Sequence, residues 1–221
     1  ASHAAAYIDA TLIEQLSTAL AQGALFLTPN TRLAGQLRLI LDAIRLDQFE
    51  AENVQPDISV WQTPTVIPFE TWTISSWQSA MLAGEVPARL ILTPGQDALY
   101  WEQALEQSES SLSLLSKSAA SSQARQGYQL LRQSLVPIEQ HEFEFNSALD
   151  SRAYLEWIKN YQQIVAKSTH IPLVDAQAQL LSLPSKRFLL DSQLSDTETI
   201  DQQKPMLVMV GFHAPSALQL A

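Results

Sequence analysis

The sequence has no cysteine, which excludes disulfide bonds, thiol nucleophiles and cysteine-ligated metal sites. Proteins of the reducing cytoplasm are typically free of disulfides, and we expect this chain to be cytoplasmic. Long apolar runs are also missing, since none approaches the roughly 18 residues that a membrane span needs. The first residues lack the basic and apolar segments of a signal peptide. The sequence therefore predicts a globular chain without a membrane partner.

Positive charge is scarce as well. The chain has 13 basic residues against 23 acidic ones, a formal net charge of −10. Free-standing DNA-binding domains are usually basic, because neutralisation of phosphates supplies much of their affinity. We therefore expect this chain alone to bind nucleic acid weakly, with other segments of a larger protein supplying positive charge.

The motifs of nucleotide hydrolysis and nuclease chemistry are absent. A phosphate-binding loop needs a lysine directly after a glycine, and none of the six glycines is followed by one. A PD-(D/E)xK nuclease site needs an acidic residue two positions before a lysine. Pro56-Asp57 supplies only the first half of that motif, because no lysine has such an acidic residue before it. We predict neither ATPase nor nuclease activity in this chain.

Metal and acyl-transfer motifs are missing too. The four histidines show no HExxH pair or other short metal-ligand spacing, and there is no GxSxG sequence. His141 lies in the acidic stretch 139–144, which we interpret as a solvated loop. We therefore predict no catalytic residue, no metal and no cofactor.

Hydrophobic periodicity predicts alternating strands and helices in the first 92 residues. The pattern favours strands at residues 24–27, 57–60 and 66–67, and helices around 8–20, after Asn30 and at 69–82. Gly23 occupies the position of a helix C-cap. Such alternation favours an α/β fold with a parallel sheet.

The pattern changes at Thr93-Pro94-Gly95-Gln96, which has the residues of a capping box. Helices are predicted at 96–107, 112–135, 147–167 and 173–183, the second loosened or broken at the serine-rich SKSAASSQ. We therefore expect an all-helical insertion at 93–183 in a core made of 1–92 and 184–221. Later strands are predicted at 186–190 and 206–210, and the chain stops inside a predicted helix. We expect it to be the amino-terminal piece of a longer protein.

The segment LFLTPNTRLAGQLR at residues 25–38 is the strongest candidate site. It predicts a strand, a polar turn and a helix N-terminus, which suits a phosphate or a nucleic-acid backbone. In the functional interpretation, Thr28, Asn30 and Thr31 donate to phosphate oxygens, and Arg32 and Arg38 add charge. In the simpler interpretation, which spacing alone favours, Asn30 caps a helix for about 1 kcal/mol and the arginines are solvated.

Two further turns have the same two interpretations. Trp61 and Thr63 in WQTP are candidates for stacking on and hydrogen bonding to a nucleotide strand. The simpler alternative is a buried Trp61 that anchors a strand to a helix. Gly211-Phe212 is either a tight strand end with a packed aromatic, which we favour, or part of a binding site.

Three segments taken together resemble a known family. LFLTPNTRLAGQLR is similar to the strand and helix around motif Ia of superfamily 1 helicases, and WQTPTVIPFETWTISSW is similar to the following strand–helix step. LVMVGFHAPSALQL resembles a segment of AddB/RexB-type subunits, and LTPGQDALYWEQAL is also similar to that group. These bacterial DNA repair proteins have a helicase-like amino-terminal half and a PD-(D/E)xK nuclease domain at the carboxyl end.

The resemblance implies a RecA-like parallel sheet without a Walker A loop, interrupted by the helical insertion. In superfamily 1 helicases the motif Ia turn contacts the single-strand backbone, a role that transfers to Thr28, Asn30 and Arg32. The chain is then a non-catalytic module that guides single-stranded DNA towards an exonuclease domain elsewhere in the full-length protein. The alternative is a scaffold that holds a helicase or nuclease partner subunit through the insertion, favoured by the acidic charge and the tryptophans.

Overall fold

A computed structural model describes residues 10–51, 64–108, 116–136, 138, 149–183, 206–213 and 215–220. The chain is mixed α/β and mostly helical, with a small parallel sheet. It divides into two compact units, a sheet unit of residues 1–75 and 189–213 and a helical unit of residues 76–188 and 214–221. The predicted division at residues 92 and 183 stays a prediction. No helix in the described ranges is long and apolar enough to cross a membrane.

The elements follow one another in a mostly alternating order. The sheet unit contains α1 (Ala10–Ala21), β1 (Leu25–Thr28), α2 (Thr31–Ala51), β2 (Val66–Pro68), the first half of α3 (Phe69–Leu82) and β5 (Leu207–Met209). The helical unit contains the rest of α3, β3 (Leu90–Ile91), α4 (Pro94–Glu106), α5 (Lys117–Gln133), α6 (Leu149–Lys167), β4 (His170–Ile171), α7 (Leu173–Ser182) and α8 (Ala217–Leu220).

The sheet unit is built around β1. Its order is β2-β1-β5 with both neighbours parallel, so Phe26 lies between Val66 and Val208. All four β1 residues are buried, as a continuous apolar run in the middle of a parallel sheet should be. The apolar faces of α1 and α2 complete the core through Leu16, Leu20, Leu37, Leu41 and Ile44. The prediction of an α/β chain with a parallel sheet is confirmed, whereas the strands predicted at 57–60 and 186–190 lie outside the described residues.

The core of the helical unit is an aromatic cluster on α4, α5 and α6. The Trp101 ring stacks on the Tyr161 ring, with centroids 4.2 Å apart and planes 14° apart. Tyr128 meets Tyr161 edge to face at 5.5 Å. At the start of α4 the predicted capping box is present, because the Thr93 hydroxyl accepts from the Gln96 N–H while the Gln96 side chain accepts from the Thr93 N–H.

Two tyrosine–carboxylate pairs lie beside this cluster. The Tyr161 hydroxyl donates to Asp97 Oδ1 at 2.5 Å, and the Tyr128 hydroxyl donates to Asp175 Oδ2 at 2.9 Å. Burial raises the pKa of both phenols, and the neighbouring carboxylates raise it further. Both tyrosines therefore remain protonated donors at neutral pH, each joining two elements that are distant in the chain.

Two sequence-based expectations about segment 93–183 were wrong. The helix predicted from residue 112 begins at Lys117, because the Ser116 hydroxyl accepts from the Ala119 N–H and caps α5. The remaining serines of SKSAASSQ lie in the first turns of α5 without interrupting it, whereas residues 112–115 lie outside the described residues. The segment is also not all helical, since β4 pairs in parallel with β3. Two-residue strands leave no periodic signal in a sequence, because their pairing depends on tertiary contacts.

Replacing Asp97 by asparagine should remove part of the pH dependence of stability. Burial, the largest cause, raises the pKa of this carboxyl above its ordinary 3.8, although its hydrogen bond from Tyr161 opposes the shift. Between 3.8 and the folded-state pKa the folded chain binds more protons than the unfolded chain, so this contribution to stability falls as pH rises.

Urea denaturation at several pH values through this window measures the slope of unfolding free energy with pH. Asp97→Asn should reduce the fall in stability with rising pH, because asparagine can still accept from Tyr161 without a charge to desolvate. Asp150→Asn, an exposed carboxylate at the start of α6, is the matched control. An unchanged slope in Asp97→Asn would mean that Asp97 titrates normally in the folded chain.

Candidate nucleic-acid interface at the carboxyl edge of the sheet

The three strands described in the sheet unit end at the same edge, because they run parallel. The turn Pro29-Asn30 and helix α2 follow β1, helix α3 directly follows β2, and Gly211-Phe212-His213 closely follows β5. In open α/β sheets ligands bind outside the carboxyl ends of the strands. The edge therefore brings the predicted segment 25–38 together with Gly211-Phe212.

The β1–α2 turn is fixed by its own polar groups. Asn30 Oδ1 accepts from the Leu33 N–H at 2.9 Å, so the predicted N-cap is confirmed. Thr28 is fully buried, and its hydroxyl donates to the Asn30 carbonyl at 3.0 Å. Burial denies phosphate access to this hydroxyl, so the direct contact predicted for Thr28 is replaced by a role in shaping the turn.

The exposed groups of this turn are those of the first turn of α2. Thr31 and Arg32 are both exposed, and Asn30 itself is exposed beside them. The first N–H groups of a helix point away from its body, and the helix dipole gives this end a partial positive charge. An anion at this helix end can therefore be bound jointly by Thr31, Arg32 and the backbone at the start of α2.

Arg38 has a different place. It lies about 9 Å further along α2 than Arg32 at the usual helical rise, and its guanidinium donates to the Val66 carbonyl at 2.5 Å. This hydrogen bond joins α2 to β2. Arg38 therefore stabilises the packing of the helix on the sheet and does not belong to the group at the start of α2. Trp61 and Thr63 lie outside the described residues, and their proposed contacts stay predictions.

The turn after β5 packs tightly against the start of α2. Gly211 has φ +82°, and a Cβ added there would lie 2.2 Å from Leu33 Cδ2 and 3.8 Å from Pro29 Cδ. Glycine is therefore favoured by the positive φ, and any added methyl group would have to displace the end of the Leu33 side chain. The predicted tight strand end is confirmed. The turn after β5 therefore lies next to the turn after β1.

An aromatic pair lies at this edge. The Phe212 and Phe69 rings meet nearly perpendicular, with centroids 6.2 Å apart, and Phe69 also contacts Trp72 at 5.6 Å. Both phenylalanines are half-buried, and the following His213 is exposed. The packed aromatic predicted at Phe212 is thus present, and its ring also remains partly open to solvent.

Phe69 and His213 were not among the candidate residues chosen from the sequence. Phe69 is the first residue of a helix that starts directly after a strand, so its position beside the sheet edge follows from that zero-length connection. His213 follows Gly211-Phe212 in the same turn. The signal that would have found both is their position just after a strand, combined with parallel pairing.

The electrostatics of the edge are asymmetric. Arg32 occupies the first turn of α2, whereas Glu70 is an exposed carboxylate in the first turn of α3. The α2 end therefore suits an anion and the α3 end does not. Among the described residues, no group of three or more His, Asp or Glu side chains is arranged to hold a metal ion.

Replacing Gly211 by alanine should lower the unfolding free energy by about 1–2 kcal/mol, because alanine strains the positive φ and its methyl group displaces Leu33. Urea denaturation measures the change. Gly35→Ala is the matched control: Gly35 lies within α2 with nothing within 4 Å of an added Cβ, and alanine is the better helix former. Equal stability of Gly211→Ala and wild type would contradict the close packing of the two turns.

Comparison of the chain with protein-family models, with curated proteins and with solved structures finds no match.

Proposed function

We propose that the sheet unit binds single-stranded DNA across the carboxyl edge of its sheet. The observation that carries the proposal is the presence of Arg32 and Phe212 at one edge of the sheet. They lie on two turns that approach each other closely at Gly211. A single strand offers phosphates and unstacked bases in alternation. Binding sites for it combine cationic groups that follow the backbone with aromatic rings that stack on bases.

The two groups have complementary roles. The start of α2 receives a phosphate through the backbone N–H groups of Thr31 and Arg32, which precede the capped Leu33 N–H, together with the Thr31 hydroxyl and the Arg32 guanidinium. The partly exposed ring of Phe212 receives a neighbouring base, while its nearly perpendicular contact with Phe69 holds the ring in place. Neither contact reads a base edge, so binding does not depend strongly on sequence.

The wider context of the proposal rests on the family resemblance. A parallel sheet with an anion-binding turn at its carboxyl edge supports a RecA-like, helicase-like core. The chain then serves as a non-catalytic module of a bacterial DNA repair protein of the AddB/RexB type. It passes single-stranded DNA to a PD-(D/E)xK exonuclease domain in another part of the full-length protein.

The net charge of −10 limits the affinity of the chain itself. Electrostatic attraction to phosphates supplies most of non-specific binding, and an acidic protein gains little from it. We therefore expect weak, strongly salt-dependent binding that is measurable at low ionic strength, with the stacking contact providing much of the affinity.

Replacing Arg32 by alanine should weaken binding of a fluorescent oligonucleotide several-fold at low salt. It should also make the slope of log affinity against log salt shallower by about 0.7, the value for one phosphate contact on a single strand. Fluorescence anisotropy at several salt concentrations measures both quantities. The loss should be similar for all base sequences, because the contact is to the backbone.

Arg45→Ala is the matched control, since Arg45 is on the same helix about 20 Å beyond Arg32 at the usual helical rise. It should change the affinity and the slope much less than Arg32→Ala does. If Arg32→Ala and Arg45→Ala bind the oligonucleotide equally well and with the same salt slope, the phosphate contact at the start of α2 is excluded.

A further inference from the structure

A cavity of about 200 Å³ lies in the helical unit, lined by α5, α6, α7, the end of β4 with the residue after it, and the residue before β3. Its polar lining is formed by Arg89, Tyr128, Arg132, Tyr161, Gln162, Asp175 and Gln179. Its apolar lining is formed by Val165, Ala166, Ile171 and Pro172. This volume is below the roughly 300–1,000 Å³ of sites for drug-sized ligands, so it suits a smaller molecule.

The charges in the wall do not cancel. Both oxygens of Asp175 already accept hydrogen bonds, Oδ2 from the Tyr128 hydroxyl and Oδ1 from Arg132 Nε at 2.6 Å. Asp175 and Arg132 therefore balance each other. Arg89 donates to the Val165 carbonyl at 2.6 Å, and no carboxylate in the described ranges forms an ion pair with it. Among the described residues of the wall, the positive charge of Arg89 therefore remains without a counter-charge.

Arg89 is held in place by its own backbone. Its carbonyl accepts from the indole N–H of Trp77 at 2.7 Å, and Trp77 is 1% exposed. The guanidinium bond to Val165, near the end of α6, fixes the other end of the side chain. Arg89 is therefore preorganised at the cavity wall, which lowers the entropy cost of binding an anion there.

We propose that this cavity binds a small aliphatic carboxylate, with its anionic head on Arg89 and its chain against Val165, Ile171 and Pro172. A monoanion matches the single unbalanced charge. A phosphate monoester, with a charge of about −1.5 to −2 at pH 7, exceeds that charge and gains nothing from the apolar wall. The amides of Gln162 and Gln179 add further polar groups to the lining. This site is separate from the DNA interface proposed for the sheet unit.

The simpler role for Arg89 is to cap the carboxyl end of α6, and the test separates the two roles. Titration calorimetry on the whole chain uses acetate, butyrate and inorganic phosphate as probes. Butyrate should bind saturably and more tightly than acetate or phosphate. Arg89→Met should weaken butyrate binding at least tenfold, and Ala166→Trp should do the same by filling the mouth of the cavity while leaving Arg89 in place.

Two measurements keep the outcome clear. Circular dichroism should show that Ala166→Trp keeps the wild-type fold, because Ala166 is exposed. Lys117→Met removes the same charge as Arg89→Met from the far end of α5, and it should bind butyrate as the wild type does. Absence of saturable butyrate binding, equal binding by folded Ala166→Trp, or tighter binding of phosphate than of butyrate would each overturn the proposal.

Discussion

Replacing Phe212 by leucine is expected to weaken binding of a single-stranded oligonucleotide by about tenfold. Stacking of a base on an aromatic ring contributes about 1–3 kcal/mol, and about 1.4 kcal/mol corresponds to a factor of ten in affinity. Leucine keeps an apolar side chain against Phe69 but has no π face for a base. The effect should persist at higher salt, because stacking is not an ionic contact.

Phe212→Trp is the matched control, since it keeps an aromatic face and should retain or strengthen binding. Fluorescence anisotropy gives the affinities, and circular dichroism checks the fold of both variants. The edge-to-face contact with Phe69 adds only about 0.5–1.5 kcal/mol to stability, so both variants should fold. Equal oligonucleotide binding by wild type and Phe212→Leu would show that no base stacks on this residue.

Replacing Trp101 by alanine should lower the unfolding free energy of the helical unit by about 3–5 kcal/mol. Trp101 is completely buried, and its ring stacks on Tyr161 at the centre of the aromatic cluster. Alanine leaves a large cavity there and removes the surface on which Tyr161 is positioned for its bond to Asp97. Urea denaturation, monitored by near-ultraviolet circular dichroism, measures the change in unfolding free energy.

Leu99→Ala on the same helix is the control for this substitution. Leu99 is 56% exposed, so its truncation should change stability by no more than about 0.5 kcal/mol. If Trp101→Ala cost as little as Leu99→Ala, the stacked aromatic cluster would not be the core that stabilises this unit.

Strong local signals made much of the fold predictable from the sequence. The apolar run at 24–27, the N-cap Asn30 and the pair Thr93 and Gln96 each indicate a strand or a helix start through neighbours in the chain. The α/β alternation then favoured a parallel sheet. These features survive in the structure because local preference and tertiary packing agree there.

Long-range contacts could not be predicted in the same way. The pairing of β3 with β4 joins short segments that are distant in the chain, and neither segment has a periodic pattern. The bonds of Tyr161 to Asp97 and of Tyr128 to Asp175 likewise join separate helices. No spacing within one segment indicates such partners.

In the candidate site, some features follow from local sequence signals and others from long-range contacts. Asn30 and Arg32 lie where the strand–turn–helix pattern placed them, at the start of α2. Burial of Thr28 follows from the central position of β1, which a single segment does not reveal. The bond of Arg38 to Val66 depends on a neighbouring strand as well. Which polar residues remain accessible is therefore decided by packing and not by the motif.

We propose that single-stranded DNA contacts the carboxyl edge of the sheet. Photo-crosslinking of the whole chain to an oligonucleotide containing iodouracil, followed by mass spectrometric mapping, tests it most directly, because the modified base reacts with aromatic side chains on which it stacks. We expect crosslinks at Phe212, with Phe69 or His213 as minor sites, and loss of the Phe212 crosslink in Phe212→Leu. Crosslinks confined to the helical unit, or none under conditions where the oligonucleotide is bound, would contradict it.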